Sequence, residues 1–359
     1  MNIKALGIKI ERRENESLVL KTLSLVAALA AALAVSALLI RLWGADISTA
    51  FSALYSGAFG DSRALINTLT KATPMIFTGL AAAIAFRAQI WNIGGEGQFL
   101  VGAMGAYLAI TLFEGLSRPL LIVLILLFAF LAGGLAAGLS ALLKNRFGVD
   151  VIVSTVMMNY IIEYALSLLL FTSWRDPSTF YQLSPYIPET SVFPMLIAKY
   201  KFHAGIVLAV LTAIIVFLLV EKTPQGYELR AIGLNPIAAR FKGINPKTTL
   251  LWVLTISGSI AALGGAIELT GTTHRLRPDI SIGFGFTGII VAMLADLHPL
   301  GVVISGFLFG GLINGSFRMQ VQTGVPISIV NAIQAIILLF VLSASVLTRY
   351  SIRRVKDAD

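Results

Sequence analysis

Long uninterrupted apolar runs dominate the chain, and short polar or charged breaks separate them. The runs are continuous, not alternating, so they predict helices and not barrel strands. Ten segments stand out as spans: Leu23–Leu42, Pro74–Phe86, Gly97–Phe113, Leu120–Leu143, Val151–Phe171, Ala204–Val220, Leu250–Thr270, Phe284–Ala295, Leu300–Ser316 and Val330–Leu347. Backbone amides in hydrocarbon must be paired within their own segment, which is why such runs become helices. Between the first two spans a polar, Gly-containing loop is expected, with Asp46, Asp61, Arg63 and Lys71. A longer loop, Trp174 to His203, carries four prolines and several aromatics. The largest polar stretch runs from Glu221 to Thr249.

Composition agrees with a lipid solvent. Of 359 residues, 57% are hydrophobic and 13% charged, with mean hydropathy +0.86. A soluble domain carries about 25% charged residues, so the composition argues against a water-soluble enzyme with one large core and excludes a disordered chain. There are no cysteines and only three histidines, His203, His274 and His298, far apart in sequence. That excludes disulfides and thiolate chemistry and gives no reason to expect a metal or cofactor.

The net charge of +9 is read as topology, not as nucleic-acid binding, because no basic run carries interleaved aromatics. The reading is an all-α polytopic membrane protein of about ten transmembrane helices. Residues 1–22 form a charged lead, 23–348 the transmembrane domain and 349–359 a tail. An even number of spans puts both termini on one side. The lead, Lys144 to Arg146, the 221–249 loop and the tail share that side and hold about 16 of the 27 basic residues. It is therefore the cytoplasmic side of a cell membrane. The Trp174–His203 loop faces outward, although Lys199, Lys201, Arg275 and Arg277 also fall outside.

Three segments have chemistry worth testing. Gly226 to Ile244 contains Asn235-Pro236, an N-cap followed by proline at the first helical position. Two short helices broken at Gly233 are expected, either as a surface that another protein clasps or as a solvated connector. Phe86 to Phe99 sets three glycines around Glu96. Asn92, Glu96 and Gln98 could meet a polar solute, with Trp91 as a stacking face; the alternative is an interfacial turn. Asn159, Glu163, Glu268, Asn314, Asn331 and Gln334 fall at membrane depth, where polar groups either line a pathway or hydrogen-bond between helices. Asn159 and Glu163, four apart, share a helical face. Gly133, Gly134 and Gly138 are read as close-packing positions. A short echo, Phe77-Thr78-Gly79 and Phe286-Thr287-Gly288, opens two of the shorter spans. The chain lacks a phosphate loop, an H-E-x-x-H helix and an exposed G-x-S-x-G elbow.

Four stretches together resemble the permease subunits of ABC importers: Thr73-Pro74-Met-Ile-Phe-Thr-Gly79, Ala85-Phe-Arg87, Trp91-Asn-Ile-Gly-Gly-Glu-Gly-Gln98 and Gly226-Tyr-Glu-Leu-Arg-Ala-Ile-Gly-Leu-Asn-Pro236. The resemblance is to the branched-chain amino acid and ribose permease superfamily, in its nucleoside and simple-sugar branch. The one departure noted is Gly95, where relatives often have alanine; no consequence is expected. The resemblance implies a type II importer fold like that of the cobalamin permease, with coupling helices in the loop between the sixth and seventh spans. It implies a cytoplasmic ABC ATPase, an extracytoplasmic substrate-binding protein and a second permease chain, identical or different, as partners. ATP hydrolysis would lie in the partner, so this chain is no enzyme. Gly226, Tyr227, Glu228, Arg230, Ala231, Gly233, Asn235 and Pro236 would couple to the ATPase. Trp91, Asn92, Glu96, Gln98, Asn159, Glu163 and Asn314 are candidates for the substrate pathway. The rival reading is a gradient-driven secondary carrier with Glu163 and Glu268 as coupling groups. A membrane-embedded enzyme lacks any convergent catalytic cluster.

Overall fold

The structure is a computed structural model and describes residues 2–3, 8–12 and 18–354. The helices in chain order are α1 (Leu18–Leu42), α2 (Ile47–Phe59), α3 (Ser62–Arg87), α4 (Gly95–Leu112), α5 (Arg118–Phe147), α6 (Val151–Phe171), α7 (Gly205–Lys222), α8 (Pro224–Leu234), α9 (Pro236–Phe241), α10 (Pro246–Glu268), α11 (Phe284–Leu294), α12 (Pro299–Thr323) and α13 (Ile327–Arg349). Short strands β1 (Asn2–Ile3), β2 (Ile8–Arg12), β3 (Met195–Ile197), β4 (Phe202–His203) and β5 (Tyr350–Arg354) complete it.

Every expected span contains a helix, but the count of ten full crossings is not what the geometry supports. Among the described residues, seven helices are long and apolar enough to cross a membrane, or eight if the bent pair α1–α2 is one span. Two expected spans fall short for physical reasons. Glu96 and Gln98 occupy the first turn of α4, and the 11 residues of α11 reach only about 16 Å. The expected polar loop before the second span is also corrected. Its residues form α2 and the first three turns of α3. Asp61 caps α3, accepting from the Ala64 amide at 2.7 Å. Ala64, Thr68 and Ala72 are buried at four-residue spacing, a helical repeat that Arg63 and Lys71 obscure. Pro74 thus lies inside a helix, not at its start. Threonine hydroxyls bond back to carbonyls around it, Thr73 to Leu69 and Thr78 to Pro74. The break before α2 turns at Gly44, φ +91°, and Asp46 caps the new helix through Ser48 and Thr49.

The chain divides into two units, 1–54 with 316–359, and 55–315. In the first, α1 and α13 pack together. Ala28, Ala32, Ser36 and Ile40 form a buried stripe at four-residue spacing on α1. Strand β2 pairs antiparallel with both β1 and β5, with Ile10 opposite Ile352. The two terminal segments therefore lie side by side.

In the second unit α10 is the central helix, flanked by α3, α4 and α5. Glycine at the crossings lets backbones touch. Gly133 of α5 meets Gly258 of α10, and Gly102 of α4 meets Ala262 of α10; a Cβ at any of these glycines would strike opposing backbone. The echoed tripeptides face each other. A Cβ on Gly288 would lie 2.6 Å from the Thr78 Cβ, and the Thr78 hydroxyl donates to the Phe284 carbonyl at 2.8 Å. At the far end of α10 a π-helical turn, Leu269–Thr273, leads into the loop over the bundle.

Candidate functional site

Two assemblies carry the candidate residues. The first is the connection between α7 and α10. Thr223 accepts from the Gly226 amide and starts α8, with Pro224 at its first position. The break between the two short helices falls at Asn235, not at Gly233. Asn235 ends α8 and caps α9, its Oδ1 accepting from the Ile237 and Ala238 amides at 3.0 and 3.1 Å. Gly233 stays helical because it is a contact point: a Cβ there would collide with the Arg87 carbonyl oxygen. Gly226 likewise rests on the Leu219 and Val220 carbonyls. Leu229 and Ile232 are buried, and Glu228 and Ala231 are half-buried. The opposite side is bare. Tyr227, Leu234, Pro236, Ile237 and Phe241 are exposed, with Leu234 at 84% and Phe241 at 89%. Exposed apolar side chains thus gather on one side of these short helices.

An ionic cluster not foreseen from the sequence holds α8 in place. Glu221, at the end of α7, pairs with Arg87 at the end of α3 and lies 3.5 Å from Arg230 of α8. Arg87 Nε also donates to the Leu297 carbonyl at 2.9 Å, and Arg230 donates to the Val220 carbonyl.

The second assembly is the segment joining α3 to α4. Gln89 has φ +56°, and the chain then runs irregularly to Gly95. The segment starts against α8, at Arg87 and Ala88. It reaches Ser257, about half-way along α10, by Asn92. It therefore re-enters the bundle, where every backbone polar group needs a protein partner. Amide side chains provide these partners. Asn92 Nδ2 donates to Gln98 Oε1 at 3.0 Å and to Ser257 Oγ at 2.9 Å. Asn92 Oδ1 accepts from the Gly94 amide and from Gln98 Nε2, both at 3.0 Å. Asn159 of α6 donates to the Ile93 carbonyl at 2.9 Å and accepts from the Gly97 amide at 2.8 Å.

Glu96 lies where two helices begin. It occupies the first turn of α4 and accepts from the Gly285 amide in the first turn of α11 at 2.7 Å. A Cβ on Gly285 would meet the Glu96 backbone, so α11 can approach only as glycine. At Gly95 an added Cβ would stand 3.5 Å from the Gly285 carbonyl, an ordinary contact that alanine would make.

The structure thus brings Asn92, Glu96, Gln98 and Asn159 together. Trp91 is exposed beside them, its ring 4.7 Å from that of Phe86. Glu163 lies one turn along α6 from Asn159 but is exposed, between exposed Tyr160 and Tyr164. Asn314 is elsewhere: its amide joins α12 to the Gly57 and Ala64 carbonyls at 2.9 and 3.0 Å. Glu268 is buried near the π-helical turn, Gln334 is buried on α13, and Asn331 is exposed.

The loop 172–204 closes the other end of this unit. Its Ser184, Ile187 and Phe193 amides donate to the Leu276, His274 and Thr270 carbonyls at 2.9–3.0 Å. Arg275 stacks over the Tyr186 ring at 4.5 Å. His203 is buried against Gly271 and accepts from the Gly205 amide. Burial, and secondly the nearby His274, push its pKa down to about 4.

Residues 64–342 match the family model described as branched-chain amino acid transport system / permease component. The chain belongs to this family. The permease is 37% identical over 318 residues to the guanosine ABC transporter permease protein NupP of Bacillus subtilis, covering 87% of this chain and 90% of that relative. It is 30% identical over 347 residues to the glucose ABC transporter permease protein TsgB13 of Haloferax volcanii, covering 91% and 90%. It is 27% identical over 315 residues to the nucleoside ABC transporter permease protein NupB of Lactococcus lactis, covering 84% and 83%. It is thus a multi-pass transport subunit, and family membership implies an ATPase and a substrate-binding protein as partners.

Proposed function

We propose that this chain is the membrane subunit of an ATP-driven importer for nucleosides or a related small polar solute such as a simple sugar. The observation that carries the reading is similarity to a guanosine permease over 87% of the chain, together with an exposed apolar helix pair in the α7–α10 connection. In this reading α8 and α9 sit in a groove of the cytoplasmic ATPase. Tyr227, Glu228, Arg230 and Ala231 make the docking contacts, Gly226 and Gly233 seat α8 on the bundle, and Asn235-Pro236 sets the angle of α9. The fold is that of type II importers, with ten passages of which two are partial. The 221–249 connection, the 1–22 lead and the 349–359 tail face the cytoplasm, and 23–348 is the transmembrane domain.

Solute passes Trp91, Glu96 and Glu163, along the segment that Asn92, Gln98 and Asn159 brace, with Asn314 supporting the bundle to one side. A carboxylate facing hydrocarbon costs several kcal/mol. The outward face of α6 with Glu163 is therefore where a second permease chain completes the pathway. ATP binding and hydrolysis in the partner move α8 and α9, and rigid-body motion alternates access. Family membership favours this over the gradient-driven carrier.

The test is gentle extraction from the native membrane, mass spectrometry of what copurifies, and reconstituted uptake of labelled nucleosides and sugars. Uptake that needs ATP and the copurifying ATPase supports the reading. Uptake by this chain alone in a proton or sodium gradient refutes it.

A further inference from the structure

Among the described residues, Glu221 is the carboxylate that both Arg87 and Arg230 approach, and each of the three belongs to a different helix. Side-chain exposure is 15% for Arg87, 30% for Glu221 and 36% for Arg230, so the pair nearer the bundle is partly withdrawn from water. Arg87 is the branch point. One edge of its guanidinium grips Glu221, and Nε holds the Leu297 carbonyl at 2.9 Å. That carbonyl belongs to the turn between α11 and α12, where Asp296 and Leu297 both have left-handed φ, +50° and +60°. Consecutive left-handed non-glycine residues are strained and persist only where neighbours hold them. The Arg87 backbone also bears on Gly233 of α8. A displacement of α8 thus reaches two bundle elements at once, the end of α3 and the α11–α12 turn.

Both elements lead to the re-entrant segment. The end of α3 continues directly into Ala88–Gly94. Helix α11 sets the Gly285 amide of its first turn on the Glu96 carboxylate and crosses α3 at Thr78–Gly288.

We propose that Arg87 and Glu221 are positioning residues that carry the movement of the ATPase-docked α8 to the α3–α4 segment and to α11, while making no contact with the ATPase or with solute themselves. This rests on the reading of α8 and α9 as the docking surface. Its elements are discrete, packed and hydrogen-bonded, as coupling between distant sites demands.

The chain has no cysteine among 359 residues, so single-cysteine reporters are clean. The permease is assembled with its copurifying ATPase in nanodiscs, with Trp91→Cys as reporter and a polar maleimide as probe. Labelling rates are compared without nucleotide and after trapping with ATP and vanadate. With Arg87 and Glu221 intact the two rates differ at least about fivefold, the low end of ordinary coupling energies. With Glu221→Gln or Arg87→Gln the difference collapses, while the ATPase stays bound and keeps hydrolysing ATP. A merely structural pair would not leave assembly and hydrolysis intact while erasing that response.

If the glutamine variants do not fold, Arg87→Lys takes their place. Lysine keeps the charge but cannot fork between Glu221 and the Leu297 carbonyl, so a reduced response is expected. A full nucleotide response in these variants overturns the proposal, and so does loss of the bound ATPase from an otherwise folded variant. A Phe241→Cys reporter that fails to cross-link to the ATPase overturns the docking reading, and this one with it. Cross-linking with an unaltered variant response overturns the relay alone.

Discussion

Replacing Asn92 with leucine separates two roles for the amides around Glu96. The Asn92 amide has two N–H donors and one carbonyl oxygen with two lone pairs, and all are used. The donors go to Gln98 Oε1 and Ser257 Oγ, and the oxygen receives the Gly94 amide and Gln98 Nε2. The residue is 3% exposed. A saturated amide has nothing left to offer a solute, so its work is to hold the irregular backbone. Leucine keeps the branched shape and heavy-atom count, at somewhat greater volume, and removes the bonds. It strands the Gly94 N–H and the Gln98 amide, whereas Ser257 keeps its 2.7 Å bond to the Ala81 carbonyl. Each stranded buried group costs about 1–3 kcal/mol, giving roughly 2–6 kcal/mol. Membrane double-mutant cycles average only about 0.6 kcal/mol per bond, which for four bonds gives roughly 2 kcal/mol. The expected loss is therefore about 2–5 kcal/mol. The assay is thermal unfolding in detergent, read beside solute-stimulated ATP hydrolysis of the assembled transporter. A variant with unchanged melting that no longer responds to solute would refute the reasoning and make Asn92 a direct ligand.

Glu96→Gln removes a charge shared by the first turns of α4 and α11. About 1–2 kcal/mol of stability should be lost from the charge-assisted bond and helix-dipole terms, seen as a lower unfolding midpoint and faster hydrogen exchange in residues 283–288. Gly288→Ala should destabilise by about 1–3 kcal/mol through overpacking on Thr78, whereas Gly95→Ala should melt like the parent protein. His203 is held neutral in the fold, its pKa lowered from 6.5 to about 4. The unfolded chain therefore binds the proton more readily, and stability present above pH 6.5 is lost as pH falls toward 4. His203→Leu should flatten the melting-versus-pH curve between pH 7 and 5, and an identical slope in both proteins would remove His203 as its cause.

Which parts could be read from the sequence follows from how far each interaction reaches. Asn235-Pro236 announces a helix start within two residues, and the structure has one there. The break itself was displaced by two residues, because Gly233 suggests a stop locally and only the approach of Arg87 explains why glycine is needed inside the helix. The helix around Lys71 is hidden in the sequence for a related reason. Arg63 and Lys71 lower its average hydropathy, while the buried Ala64, Thr68 and Ala72 keep a four-residue spacing. Asn92, Gln98 and Asn159 stand out in the sequence as amides beside or within apolar runs. Whether such an amide meets solute or backbone depends on partners as distant as Ser257, 165 positions away.

The Arg87–Glu221 pair illustrates the limit. Its members are 134 residues apart, and each ends an apolar run, where a charge looks like an ordinary interfacial residue. Nothing local distinguishes Arg87 from Lys144 or Lys222. What sets it apart is that three chain turns converge on one guanidinium: the end of α7, the start of the α3–α4 segment and the left-handed turn after α11. A planar fork with several donors can serve partners in different directions at once. An arginine at a span end therefore becomes informative only when the carbonyls and carboxylates around it are known. The same holds for Glu221, whose two oxygens divide between the bundle and α8. If the relay is real, substitutions at the two positions should act non-additively, since each removes the same link. The transport loss in Arg87→Gln with Glu221→Gln should then match either single variant and not the product of both.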